Sequence, residues 1–252
     1  MTFLSILLLG FFLGMRHATD SDHVIAVTTI VSRQREITGA ALTGVFWGIG
    51  HSLTLFVVGG AIILFGVVIP ERVGLSLEFC VALMLIVLGL FNLRTFRHGF
   101  REAAAHQHPH QHGDYVHDHP HGHESAAHGH AEDAIPPARL DRWFGRLRIY
   151  RALRPMVIGI VHGLAGSAAV ALLVLPIIRN PFWSMAYLAV FGIGTIAGMR
   201  LSTAAISVPV AYSARRSQFC NRWIGATAGA FSLLFGSFLV YQIGFVGGLF
   251  TR

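Results

Sequence analysis

Residues Gly14-Met15-Arg16-His17-Ala18-Thr19-Asp20-Ser21-Asp22-His23 set two imidazoles, two carboxylates and a guanidinium inside an apolar segment, between Leu/Phe-rich residues 3–13 and residues 24–31. Charge in such a segment is expensive, so it marks a functional site whose partner must be named. Imidazole nitrogens crowded with carboxylate oxygens form a donor set for a divalent transition metal ion. A third imidazole, His51, follows the glycines of Gly48-Ile49-Gly50-His51-Ser52, where small residues let another helix or an ion approach the backbone. A fourth, His162, is flanked by Gly163, Gly166 and Ser167. For it, a hydrogen-bonded packing role and a ligand role are equally open.

Helical geometry orders the first motif. At about 100° per residue, His17, Asp20 and His23 advance in steps of about −60° around one face, while Asp22 falls about 140° from His17. A regular helix therefore aims His17, Asp20 and His23 at one site. Asp22 reaches that site only if the helix breaks. Otherwise it orients an imidazole or pairs with Arg16.

The elements that hold these residues are membrane spans. Of 252 residues, 54% are hydrophobic and only 12% charged, against about a quarter charged in soluble domains. Six apolar stretches fit a bilayer crossing of about 20 residues: 3–31, 39–69, 73–95, 155–178, 182–210 and 223–247. The first, second and fifth are long and carry the polar motifs, which predicts bent or broken helices. The N-terminal apolar run lacks a basic leader and continues into the His/Asp motif, so it is expected to be mature structure. Cys80 and Cys220 lie far apart in or beside apolar segments and provide no disulfide framework.

The net charge of +7 is carried by arginine, with no lysine in the chain. Arginines beside apolar spans set topology, so nucleic acid is not an expected partner; the lipid bilayer is. With six spans, Arg33, Arg35, Arg94, Arg97, Arg101, Arg215, Arg216, Arg222 and the arginines of 139–154 share one side, facing only Arg72, Arg179 and Arg252 on the other. The positive-inside rule then places both termini outside and the central loop in the cytoplasm, in a multi-pass protein of the cytoplasmic membrane.

The chain also repeats itself. Gly14-Met15-Arg16-His17-Ala18 in span one parallels Gly159-Ile160-Val161-His162-Gly163 in span four, and Gly48-Ile49-Gly50-His51 in span two parallels Gly192-Ile193-Gly194-Thr195 in span five. Three spans per half must insert with opposite topology. The expectation is an all-α membrane protein built as an inverted 3+3 repeat, the pattern of secondary transporters with a midplane site. Its parts are a first repeat at 1–96, a histidine-rich loop at 97–154 and a second repeat at 155–252. The loop holds His106, His108, His110, His112, His117, His119, His121, His123, His128 and His130. It cannot build a packed core, so it reads as a mostly disordered, auxiliary collector of metal. Residues 140–153 mix aromatics with arginines and suit a helix on the membrane surface.

His17-x4-Asp22-His23, within Arg-His-Ala-Thr-Asp-Ser-Asp-His, resembles the signature of the nickel/cobalt transporter family. Phe46-Trp47-Gly48-Ile49-Gly50-His51-Ser52-Leu53-Thr54 resembles that family's second motif. His162-Gly163-Leu164-Ala165-Gly166-Ser167 and Phe191-Gly192-Ile193-Gly194-Thr195 resemble its urease-accessory-protein-like branch. The resemblance implies a permease that takes up nickel or cobalt as substrate, with His17, Asp22, His23 and His51 in metal recognition and Asp20 beside them. Arg16, Ser52, His162, Ser167 and Thr195 are placed around the site or along the pathway. No resident cofactor is expected, and a cytoplasmic metallochaperone is an expected recipient. The chain departs from classical members in having six spans rather than about eight, and few acids in its later spans. Efflux through the same site is the alternative direction. A membrane metalloenzyme is the alternative class, disfavoured by the absence of His-Glu-x-x-His and Gly-x-Ser-x-Gly. No Gly-x4-Gly-Lys-Ser/Thr loop is present, so the driving force is a gradient, the membrane potential or a partner.

Because a flexible collector is separate from the pore, a chain lacking residues 106–130 is expected to keep transporting, with altered apparent metal affinity. Complete loss of flux in a stably folded deletion would refute this.

Overall fold

The first apolar segment breaks where its charges lie. In the computed structural model, which describes residues 3–32, 34, 36–67, 69–104, 110–112, 115–117, 148–164, 180–216 and 218–251, helix α1 (Phe3–His17) ends at the first histidine. Helix α2 (Ser21–Val31) leaves at 53° to it. The backbone tightens before it turns, Thr19 N–H donating to the Arg16 carbonyl (2.8 Å) and Asp20 N–H to that of His17 (3.1 Å). Asp20 then stands at the N-cap of α2 in extended conformation, yet its carboxylate makes no capping bond. A capping aspartate contributes about 1 kcal/mol. Here that stabilisation is given up and the carboxylate is used elsewhere. Asp22, in the first turn of α2, carries negative charge where the helix dipole favours it.

Among the described residues the remaining helices are α3 (Ile37–Phe65), α4 (Glu71–Ala104), α5 (Arg148–Gly163), α6 (Pro181–Arg216) and α7 (Gln218–Tyr241), the last followed by a π-helical turn, Gln242–Val246. Among the described residues, four helical stretches are long and apolar enough to cross a membrane: Ile37–Phe65, Glu71–Arg97, Pro181–Ser213 and Phe219–Val246. The bent pair α1–α2 makes a fifth. The protein is therefore an all-helical, multi-pass membrane protein, apart from a small antiparallel hairpin that pairs His110–His112 with Tyr115–His117. Large apolar side chains such as Leu4, Phe12, Phe65, Phe182, Leu234 and Phe238 are exposed on its outer surface, as a lipid-facing surface requires.

Several expectations change here. Spans two and five, expected to be bent or broken, are each one unbroken helix, of 29 and 36 residues. Their glycines face neighbouring helices and leave the backbone ladder intact. Helix α4 continues past 96 to Ala104, and the described parts of the surface helix and fourth span expected at 140–153 and 155–178 are joined in one helix, Arg148–Gly163. Residues 165–179, with Ser167, lie outside the described residues, as do residues 105–109, 113–114 and 118–147 of the histidine-rich loop.

Packing is close because backbones touch. Helix α1 lies on α6, α5 on α3, α3 on α6 and α4 on α7. A Cβ on Gly14 would strike the carbonyl oxygen of Phe191 and the amide of Thr195, and one on Gly159 would strike the carbonyl of Trp47 and the amide of His51. In the same way Gly194 lies on the Phe11 carbonyl and Gly50 on that of Met156. Between the central helices, Gly48 meets Ile196 and Gly192 meets Ser52. Without a hydrophobic drive between helices in lipid, such small-residue contact supplies the van der Waals attraction that holds them. Ala18, Ala26, Val27, Val31, Trp47, Leu85 and Met199 fill the buried core beside the helix break.

Gly159→Ala is expected to force α5 away from α3 and destabilise the protein by about 1–3 kcal/mol. Thermal unfolding in detergent would show this as a lowered midpoint. Gly74→Ala, where a Cβ meets nothing within 4 Å, should leave the midpoint unchanged or raise it.

Candidate metal site

Four imidazoles converge at the helix break. His17 closes α1, His23 lies in the first turn of α2, His51 is at the middle of α3 and His162 is near the end of α5. Gly159 and Gly163 allow the last of these: they seat α5 directly on the backbone of α3 at Trp47 and His51. His17 is 3% exposed and the other three are fully buried. Ring centroids of His23 stand 4.7 Å from His17, 5.0 Å from His51 and 4.2 Å from His162. His23 is thus central to the cluster.

Both carboxylates are spent on imidazoles. Asp20 Oδ2 is 2.8 Å from His17 Nδ1. Asp22 holds two rings, His23 Nδ1 at 3.2 Å through Oδ1 and His162 Nε2 at 2.9 Å through Oδ2. An ionised carboxylate only accepts, so each of these ring nitrogens carries the proton and donates. In the neutral rings the opposite nitrogens are then lone pairs. Those of His23 (Nε2) and His162 (Nδ1) are buried without a hydrogen-bond partner. That of His17 (Nε2) stands 3.0 Å from His51 Nε2, which must supply the proton between them and so leaves its own Nδ1 unpartnered. Buried acceptors left unpaired are costly and rare in proteins. Their convergence is what a site for a cation looks like from the protein side, and histidine ligands held by carboxylates are the usual supporting arrangement.

The donors form two groups that share His23. His17, His23 and His51 offer ligand atoms all within 4.8 Å of one another, and Asp22, His23 and His162 do the same. The side chains of Asp20 and Asp22 are 45% and 21% exposed, so the carboxylates line the open side of an otherwise sealed cluster. Trp47, one turn before His51, lies parallel to His23 with centroids 6.3 Å apart and edge-on to His162 at 5.6 Å. Its role was legible only as the spacing i, i+4 to His51, which puts both on one helix face. Phe191 covers His17 from α6 at 5.7 Å.

The other expected residues stand apart. Arg16 is exposed, and among the described residues no ion pair joins it to Asp20 or Asp22. Ser52 donates to the Gly192 carbonyl (3.0 Å), which ties α3 to α6. Thr195, the positional counterpart of His51, donates to its own helix at Phe191 (3.0 Å). Of the loop histidines, His110, His112 and His117 fall on the hairpin strands. His106, His108, His119, His121, His123, His128 and His130 lie outside the described residues.

No solved structure matches the chain. A curated relative, the urease accessory protein UreH of Bacillus sp. (strain TB-90), is 36% identical over 247 residues, covering 98% of this chain and 95% of the relative. The model of the NicO family, described as high-affinity nickel-transport protein, matches residues 3–221. On both counts the chain belongs to the high-affinity nickel-transport family, whose members are transport proteins rather than enzymes.

Proposed function

We propose that the chain is a permease that takes up nickel, or cobalt, across the cytoplasmic membrane, with both termini outside and the histidine-rich loop in the cytoplasm. The observation that carries this reading is the buried cluster itself. His17, His23 and His51 present ring nitrogens toward one another, and Asp20 and Asp22 fix the first two rings through their Nδ1 atoms. A divalent ion crossing a bilayer must exchange its waters for fixed donors. Neutral imidazoles aimed in advance by carboxylates lower the cost of that exchange, and nitrogen donors suit borderline ions such as nickel and cobalt. A family described by high affinity fits uptake of a scarce ion.

The inverted 3+3 arrangement belongs to this reading. It is supported by paired contacts: Gly14 sits on Phe191 and Thr195 as Gly159 sits on Trp47 and His51, and Gly194 sits on Phe11 as Gly50 sits on Met156. These pairs are related by the same offset as the repeated motifs. Opposed halves of this kind place a site between them and open it alternately to each side.

Purified protein in liposomes should take up labelled nickel saturably. His17→Ala and His51→Ala should each reduce uptake by more than about ten-fold, and Asp20→Asn should weaken apparent affinity by roughly ten- to a hundred-fold. Competition by nickel, cobalt, zinc and manganese in both membrane orientations identifies metal and direction together. Tight binding with no flux under any gradient would overturn the permease reading.

A further inference from the structure

The second group of donors is not needed to complete the first. His17, His23 and His51 already offer three convergent ligands, yet Asp22 and His162 offer two more on the other side of His23. His162 is fully buried, its Nε2 is held by Asp22 at 2.9 Å, and its Nδ1 faces no partner. A packing histidine in a membrane helix would be expected to satisfy both nitrogens. The two groups are also alike. In the repeated motifs His162 occupies the place of His17, and each has one carboxylate on one ring nitrogen, Asp22 for His162 and Asp20 for His17. His23 lies between them, its centroid 4.7 Å from one and 4.2 Å from the other.

We propose that Asp22, His23 and His162 form a second coordination position for the same divalent ion, adjoining the His17–His23–His51 position and sharing His23, so that the ion crosses the site by exchanging ligands. The proposal rests on the permease reading and deepens it. One closed site using all five donors would hold an ion too tightly to release it; conduction requires binding strong enough to admit the ion and divided enough to let it leave. Two three-ligand positions satisfy both demands. The ion stays against His23 as His17 and His51 are replaced by His162 and Asp22, the protons on His23 Nδ1 and His162 Nε2 moving to the opposite ring nitrogens so that these two atoms become ligands beside Asp22. The first position presents nitrogen alone and the second adds oxygen, a change that borderline ions tolerate and hard or soft ions resist.

The test uses the full chain, with nickel binding measured by equilibrium dialysis and flux in liposomes. A glutamine at 162 can still donate to Asp22 but is a poor ligand; a cysteine is a ligand of softer character. Expected for His162→Gln is a nickel Kd within about three-fold of the parent chain and saturated flux lowered at least about ten-fold. His162→Cys should restore at least about half of the flux and shift preference toward zinc or cadmium. Flux of His162→Gln within two-fold of the parent would make His162 a positioning residue for Asp22 and overturn the proposal. So would binding weakened as far as in His51→Gln, which means one undivided site. If His162→Gln does not fold, the metal preference of His162→Cys decides, and an unchanged preference overturns the proposal. A parent chain that moves no ion sinks the permease reading as well, whereas a transporting parent with an unimpaired glutamine variant sinks the second position alone.

Discussion

The carboxylate of Asp22 joins parts of the chain that are 140 residues apart. One oxygen holds His23, the next residue in sequence; the other holds His162 on a helix from the opposite half. Both imidazoles are fully buried, and a buried ring without this anchor would be free to turn a proton inward. With the anchor, each ring has a fixed tautomer and a lone pair on its far side. The hydrogen bonds to Asp22 thus decide that the interior of the cluster is lined by acceptors. The break between α1 and α2 exists in the service of that geometry, since a continuous helix would carry Asp22 about 140° away from His17.

The break has a local cost that the surroundings absorb. Asp20 occupies a capping position without capping, because its carboxylate is engaged with His17. The short helix α2 is held instead by its apolar face, with Ile25, Ala26, Val27 and Val31 buried in the core. A polar seam assists it: Asn92 of α4 donates to the Thr29 carbonyl (2.9 Å) and to the Ser32 hydroxyl (3.0 Å). In lipid these bonds matter because no water competes to satisfy the groups at the end of α2.

Much of this was legible in the residues. The apolar stretches announced the membrane helices, and the conflict between helical period and residue type at Asp22 announced that the first helix either breaks there or leaves Asp22 outside the site. The histidines of the spans were all identified as site candidates. What could not be read was which carboxylate serves which ring, because the bond from Asp22 to His162 depends on the docking of α5 against α3. The glycines misled in one respect. In sequence they look like points of weakness in spans two and five, yet both helices run unbroken and the glycines seat them against their neighbours. A glycine motif states that something approaches; whether that is an ion, a bend or a backbone depends on the partner.

That last distinction has a consequence for how such a site diverges. Where glycine meets a carbonyl or an amide, the seam reads main chain and is blind to the side chain carried by the residue it touches. The amide against Gly159 belongs to His51, and the amide against Gly14 belongs to Thr195. The fit is the same in both places, although one residue is a potential ligand and the other bonds only to its own helix. A scaffold joined in this way leaves its chemical content free to drift, so one half can keep a full complement of donors while the other surrenders them and still fits.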